Sequence, residues 1–386
     1  VGNRRRSFIV VAAAGGLGLA LLSGCAGSGG PHSAVPASAG PTATSLPTAR
    51  IAAAVDDTIA AAGIPGAAVR ITRAEGAVPW VHATGDAVLD PKRAVKADDR
   101  FAYRSITKSF TVTVVLQLVD EKKVGLDDPI SRFVPGVPSG NEITIRELAG
   151  MRSGLVNYSA TPSVQSGLQA DPTRAWTDDE LLAAAFAQPL DFAPGTAYEY
   201  SNTNTVLLGR VIEAVTGHPW AQEVAARLTT PLGLGSISYP GNGAMASPAA
   251  APYQVGGRGA APEALPAVSF ALFSAAGGLT GTVGDLDGWA RALGTGKTLK
   301  AATFAERTAQ LSKASTDPKG PLYDSYGLGV GVIRGWIGHT GVGIGYQCLA
   351  MYDPKTGMSV AMVMNGTGDD PDVPARLFER ILPLLG

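Results

Sequence analysis

Cysteine and histidine are scarce: the 386 residues hold two cysteines, Cys25 and Cys348, and four histidines, His32, His82, His218 and His339. Two thiols cannot build a disulfide framework or a multi-thiolate zinc or iron–sulfur centre, and the histidines lack the short spacings of a metal motif. No metal or cofactor is expected. Charge is sparse too, with 31 basic against 32 acidic residues and a net charge of −1, so there is no basic excess to neutralise a nucleic-acid backbone. No nucleic-acid partner is expected. A chain that is 45% hydrophobic and 16% charged is too apolar for wholesale disorder. Apolar runs near the ~20 residues of a spanning helix are missing except at the N-terminus, which excludes a polytopic membrane protein. Neither a Gly-x-Ser-x-Gly elbow nor a His-Glu-x-x-His zinc motif occurs, and no internal repeat is visible. At ~150 residues per domain the length allows two or three units.

At the N-terminus, Arg4, Arg5 and Arg6 precede an apolar stretch from Phe8 to Leu22 that runs into Leu22-Ser23-Gly24-Cys25. A positive region, a short apolar region and a small-residue cleavage site make a signal peptide. Leu-Ser-Gly-Cys resembles a bacterial lipobox, in which the cysteine is lipidated, and Arg5-Arg6-Ser7-Phe8-Ile9 resembles a twin-arginine export signal; the general export route fits as well. Residues 1–25 are therefore expected to be a lipoprotein signal peptide, with Cys25 anchored on the outer face of the bacterial cytoplasmic membrane. Residues 26–49, rich in Gly, Ser, Pro, Ala and Thr, are expected to be a flexible linker reaching at most ~70 Å.

From residue 50 to 386 the chain reads as globular. Ile51 to Ala62 has the pattern of an amphipathic helix, and Gly66 to Arg73 that of a strand followed by a second at Trp80 to Ala83. Phe110 to Val119 is a buried helix beginning just after Ser105. Capping boxes at Thr144-x-x-Glu147 and Thr177-x-x-Glu180 open helices, and a further helix from Thr205 to Val215 stops at Gly217. Ser236 to Ser269 has little periodicity, while Asp285 to Leu293 is helical. The C-terminal third reads as strands at Leu328–Ile333, Gly335–His339, Ile344–Tyr352 and Met358–Met364, with Asp353 to Gly357 as a hairpin turn. Strands at both ends around a helical middle predict one sheet built from both termini.

Three short motifs carry candidate chemistry. In Ser105-Ile-Thr-Lys108 a helix start would put Lys108 one turn beyond Ser105 on the same face. A serine hydroxyl needs a base to become a nucleophile, and a lysine serves only with its pKa lowered by desolvation. A helix-capping serine beside a surface lysine reads equally from this motif alone. In Tyr200-Ser-Asn202 a phenol near a lysine can relay a proton and an amide can hold a substrate amide; a packed tyrosine before a capping asparagine is the alternative. In His339-Thr-Gly341, at an expected strand end, Thr340 offers a hydroxyl, Gly341 admits a close backbone approach, and the Val342 N–H could pair with that of Ser105 as an oxyanion hole. A glycine-rich turn with an incidental histidine is the alternative.

In this order the three motifs resemble the signature of the serine β-lactamase and penicillin-binding-protein superfamily. The chain is similar in particular to class C β-lactamases, D-alanyl-D-alanine carboxypeptidases and related esterases, which carry Tyr-x-Asn as second element. The likeness extends through Ile143 to Leu155, Ala193 to Asn204 and Ala275 to Leu279, and spans essentially all of residues 50–386. The resemblance implies an α+β fold, an antiparallel β-sheet flanked by helices with an inserted all-helical domain: a mixed part near 50–115 and 270–386 and a helical part near 116–269. It implies that Ser105 is the acylated nucleophile, Lys108 and Tyr200 the acid/base pair, Asn202 a substrate ligand, and the Ser105 and Val342 amides the oxyanion hole.

His339 stands where many relatives carry lysine, which tilts the expectation toward peptidase or esterase activity. It also predicts that a carboxylate-ended substrate binds less well as pH rises past the imidazole pKa of about 6.5. Lys355-Thr-Gly357 falls in the Asp353 turn and is set aside, as is Gly294-Thr-Gly-Lys-Thr298, a phosphate loop lacking its leading glycine. His82 and His218 are expected to be structural, and Cys348 a buried apolar residue. Tyr158 could line the cleft or simply pack. Arg334 could meet a substrate carboxylate, though a strand-surface position is the expectation. The expected activity is that of an exported, membrane-tethered serine hydrolase, D-alanyl-D-alanine carboxypeptidase-like on cell-wall peptides. The alternatives are an esterase or weak β-lactamase, and a non-catalytic binder of cell-wall fragments or β-lactams.

Overall fold

The structure is a computed structural model that describes residues 45–256, 258–313 and 321–386. The expected signal peptide, Cys25 and nearly all of the expected linker lie outside the described residues. The linker expectation meets the structure only at its end: helix α1 spans Thr48–Ala62, so residues 48 and 49 are already helical. Gly63 closes α1 in the left-handed conformation, with φ of 70°.

The fold is a mixed α+β one organised on a nine-stranded sheet. Its strands are β1 (Gly66–Thr72), β2 (Trp80–Leu89), β3 (Lys92–Ala94), β4 (Ser312–Lys313), β5 (Ser325–Tyr326), β6 (Gly331–Ile333), β7 (Trp336–Gly343), β8 (Tyr346–Tyr352) and β9 (Ser359–Met364). They stand in the order β3-β2-β1-β9-β8-β7-β6-β5-β4, every pair antiparallel. The seam between the two ends of the chain is β1 against β9, with Val69 opposite Met362.

Both faces of the central strands are buried, which is why they read as continuous apolar runs. Alternation sends Val69, Ile71, Met362 and Leu349 to one face, against Ile51, Val55 and Ile59 of α1 and Phe378 and Ile381 of the C-terminal helix Val373–Leu385. The opposite face carries small residues, Ala68, Ala350, Ala361 and Cys348, which let helices approach closely. Helix α2 (Thr107–Asp120) lies on that side and is buried without interruption from Thr107 to Leu116. The C-terminal helix went unread in the sequence, although its apolar residues at 377, 381 and 385 have helical spacing.

Both capping boxes form: Thr144 and Glu147 open α3 (Ile145–Ala149), and Thr177 and Glu180 open α4 (Asp178–Phe186). Helix α5 is longer than expected, Asn202–Thr216, so Asn202 is its first residue and Ser201 its N-cap. Gly217 ends it with φ of 76°. The expected break after His339 does not occur, since β7 runs on through Thr340, Gly341 and Val342 to Gly343. Its glycines answer close approaches rather than a turn: a Cβ built on Gly338 would stand 1.9 Å from Ala350 O.

One buried carboxylate ties helix α6 (Val283–Thr295) to two strands. Asp287 accepts from Thr72 Oγ1 at 2.6 Å, Ser359 Oγ at 2.6 Å and Arg70 Nε at 3.1 Å. Its removal would leave two buried hydroxyls and a half-buried guanidinium without their acceptor. Asp287→Ala is expected to cost about 2–3 kcal/mol of unfolding free energy, read from urea denaturation, with the melting curve remaining cooperative.

Candidate active site

Ser105 lies in a single 3-10 turn, Arg104–Ile106, that feeds directly into α2. It is half-buried, while residues 101–104 and 106–110 around it are all buried. One turn along, Lys108 is fully buried, and its Nζ stands 3.0 Å from Ser105 Oγ. Two further partners surround the amine: Asn202 Oδ1 at 2.6 Å and Ala276 O at 2.8 Å. Both accept only. A neutral amine has two N–H groups and one lone pair, so satisfying these acceptors turns the lone pair to the Ser105 hydroxyl. Burial pushes the Lys108 pKa well below 10.5, which favours that neutral form.

Asn202 is held in turn. Its Nδ2 donates to Ser159 Oγ at 3.0 Å, Ser159 Oγ donates to Asn157 Oδ1 at 3.0 Å, and the Asn202 backbone N–H reaches the same Asn157 oxygen at 3.2 Å. The amide oxygen expected to meet a substrate is thus committed to Lys108, leaving one Nδ2 hydrogen for a ligand. Asn157 and Ser159 went unread in the sequence because their partner lies more than forty positions away. The Tyr200 hydroxyl is buried and makes no aligned hydrogen bond, with the Ser105 hydroxyl as a polar neighbour. Lys108 Nζ lies 5.0 Å from the Tyr200 ring centroid. Burial raises the phenol well above its usual pKa of 10.0. In this environment Lys108 is suited to accept a proton and Tyr200 to donate one.

Gly341 of β7 packs on the turn that carries Ser105, where a Cβ would stand 2.2 Å from Tyr103 O and 3.1 Å from Ser105 N. The Thr340 N–H donates to Tyr323 Oη at 2.7 Å from the edge of β7. Alternate residues of a strand send their N–H groups to the same edge, so the Val342 N–H shares it. Ser105, in the first turn of its helix, has no intrahelical acceptor for its own N–H. These two donors can converge on a developing oxyanion.

His339 departs from its expectation. It is fully buried; Nδ1 lies 2.5 Å from Thr340 O and 3.0 Å from Tyr323 Oη, and Nε2 lies 3.0 Å from Tyr326 Oη. A carbonyl only accepts, so Nδ1 carries the proton and the Tyr326 hydroxyl donates to Nε2. Burial above all pushes the His339 pKa down to about 3. His339 is therefore neutral and supplies no pH-dependent charge to the cleft. Tyr323 Oη, receiving the Thr340 N–H, sends its own hydrogen to Thr340 Oγ1 at 2.9 Å, which leaves the threonine hydroxyl as a donor.

A cavity of about 310 Å³ opens beside Ser105. Val164, Leu168, Leu272, Phe273, Ala276 and Ile344 make its wall apolar. Tyr158 lines it while packing, with its hydroxyl donating to Leu272 O at 2.8 Å. The remaining sequence candidates lie elsewhere. Arg334 lies not on a strand but in the turn between β6 and β7, exposed and paired with Glu379; His82 meets Asp56 and His218 meets Glu223. Lys355 sits in the exposed turn after β8. Cys348 is buried, and its thiol is pushed up to about 12, mainly by that burial. Among the described residues no group of three or more His, Cys, Asp or Glu could hold a metal ion.

A serine beside a buried amine, with a phenol and two backbone donors near it, is an arrangement suited to a serine hydrolase. Residues 51–382 match the Beta-lactamase family, and the chain belongs to that β-lactamase and transpeptidase-like superfamily of serine hydrolases. Esterase EstB of Burkholderia gladioli is 33% identical over 218 residues, covering 53% of this chain and 55% of its own. A D-aminopeptidase of Brucella anthropi is 32% identical over 171 residues, 44% of this chain and 32% of its own. The chain thus spans about half or less of these curated relatives. A D-stereospecific amidohydrolase from Streptomyces has a crystal structure that superposes with a TM-score of 0.74 at 31% identity, over 85% of this chain and 97% of that one.

Because the base must be unprotonated, kcat/KM is expected to rise with pH through the Lys108 ionisation, with a midpoint well below 10.5. His339 adds no inflection: KM for a carboxylate-bearing substrate should be flat from about pH 5 to about pH 8. A pH series of steady-state kinetics on the native chain checks both. A KM that climbs past about 6.5 would restore a titrating imidazole to the cleft.

Proposed function

We propose that this protein cleaves amides or esters through an acyl-enzyme on Ser105, in the cell envelope. The reading rests above all on the buried Lys108 amine, 3.0 Å from Ser105 Oγ, whose two other partners only accept. As Ser105 Oγ attacks the substrate carbonyl, its proton passes to Lys108. The oxyanion is received by the N–H groups of Ser105 and Val342. Tyr200 protonates the departing nitrogen or oxygen and regains a proton from the Lys108 ammonium. Water then attacks the acyl ester, loses a proton to the same pair, and Ser105 is restored.

The cleft chemistry favours neutral substrates with an apolar acyl group over peptides ending in a D-alanyl carboxylate. Capture of a carboxylate needs an available cation: His339 is neutral, the Lys108 amine is already surrounded, and Arg104, which lines the cavity, is 3% exposed with Nη1 alone unpaired. No carboxylate lines the cavity either, so a substrate ammonium finds no counter-charge there. The relatives' printed activities, an esterase, a D-aminopeptidase and a D-stereospecific amidohydrolase, support the amide and ester chemistry. Intact mass spectrometry with an activated ester should give one acyl adduct on the native chain and none on Ser105→Ala. Hydrolysis of a neutral ester should exceed that of its ω-carboxylate analogue by at least about tenfold in kcat/KM. Reversed preference would return the reading to a carboxypeptidase.

Attachment to the membrane through a lipid on Cys25 belongs to the same proposal, supported by the Arg4–Arg6 charges, the apolar stretch and Leu22-Ser23-Gly24-Cys25. Expressed in a bacterium fed an alkyne-tagged fatty acid, the native chain should label and sediment with membranes. Cys25→Ala should do neither.

A further inference from the structure

Arg104 immediately precedes the nucleophile, and nothing in the acyl-transfer chemistry above uses it. Its φ is 49°, a conformation open to glycine and strained for other residues. Its side chain is 3% exposed, and no carboxylate among the described residues offsets its charge. The guanidinium is directed at backbone instead. Nε donates to Gly343 O and Nη2 to Ile344 O, each at 2.9 Å, and the group lies 4.0 Å from the Phe273 ring centroid and 5.2 Å from that of Tyr346.

Gly343 ends β7, and Ile344, with φ of 25°, opens the turn to β8. The run from Gly341 to Gly345 carries three glycines, so its backbone has little stiffness of its own. Yet the Val342 N–H, in the middle of that run, must stay aligned with the Ser105 N–H. One side chain joins the two segments, rooted beside Ser105 and bonded just past Val342. At such a φ, the residue that costs least is glycine, so the arginine is explained by its side chain.

We propose that Arg104 is a positioning residue that braces the end of β7 and its turn, at Gly343 and Ile344, against the turn carrying Ser105 and so holds the Val342 and Ser105 N–H groups together as one oxyanion hole. The inference rests on the acyl-transfer reading. It predicts that Arg104 acts on the transition state and hardly at all on substrate binding, because an oxyanion forms only as the carbonyl is attacked.

Arg104→Gly suits the test because it keeps the backbone conformation and removes the brace. In the full chain it should lower kcat for a neutral ester about a hundredfold with KM little changed, the size of losing one oxyanion donor. A boronic acid that forms a tetrahedral adduct on Ser105 should weaken by the same factor as kcat/KM. Arg104→Lys, which keeps the charge but not the forked donors, should recover only part. Hydrogen exchange at residues 341–345 should quicken in Arg104→Gly while that of β9 stays as it was. Unchanged kcat overturns the proposal, as does a rise in KM at constant kcat, which would make the guanidinium a substrate ligand. Loss of activity in proportion to active sites counted by titration also overturns it, since that is loss of folded protein. If the native chain cleaves neither esters nor amides, the reading of function falls. The exchange measurement still decides the brace, and unchanged exchange at 341–345 overturns it.

Discussion

The burial of one amine organises the site. Lys108 has its three polar neighbours on three separate segments: Ser105 on its own helix, Asn202 at the start of α5, and Ala276 on the short helix Ser274–Gly277. An uncompensated ammonium in such a place is costly, while a neutral amine with satisfied N–H groups is tolerable. The arrangement therefore selects the protonation state that can act as a base. It also constrains the fold, because α2, α5 and the Ser274–Gly277 segment must meet at one point with hydrogen-bond accuracy. Asn157 and Ser159 extend that constraint outward, since each sets the orientation of the group nearer the amine.

The sheet supplies the other half of the site by a different device. Antiparallel strands from both ends of the chain meet at β1 and β9, and the helical segment between them carries Tyr200 and Asn202 across to the edge of β7. Strand β6 pairs with β7 only over residues 336–338, leaving the following edge unpaired by strand. Exposed edges are a liability in most sheets, and here the Tyr323 hydroxyl covers Thr340 while the nucleophile's turn packs on Gly341. The next donor along that edge, on Val342, follows directly on the contact between Gly341 and the Ser105 turn.

Local signals were legible where the physics is local. The capping boxes at Thr144 and Thr177 and the left-handed stop at Gly217 are decided by neighbours within a turn, and each formed as read. The three chemical motifs were legible because residue type and order carry them, and the structure brings Ser105, Lys108, Tyr200, Asn202 and Gly341 together. The electrostatics of His339 were not, because its state depends on burial and on Tyr323 and Tyr326, which the sequence does not mark as partners. Strand β7 was cut short for a related reason. A run with glycines at 338, 341, 343 and 345 resembles a turn, but Gly338 and Gly341 are demanded by backbones pressing on a strand. Nothing in the sequence separates those two causes.

Catalysis and mere binding make different demands on this cleft. A protein that only captured cell-wall fragments or β-lactams would have no need of a proton acceptor at Ser105. Its affinity would be served better by an exposed, charged lysine, which attracts carboxylates, than by one desolvated to neutrality. Lys108 is fully buried, with its amine 3.0 Å from the Ser105 hydroxyl. The Tyr200 phenol likewise keeps its proton and leaves its hydroxyl without an aligned partner, an arrangement that lowers stability unless a substrate atom completes it. A buried amine and an unsatisfied phenol on either side of a serine are what proton transfer through that serine would require.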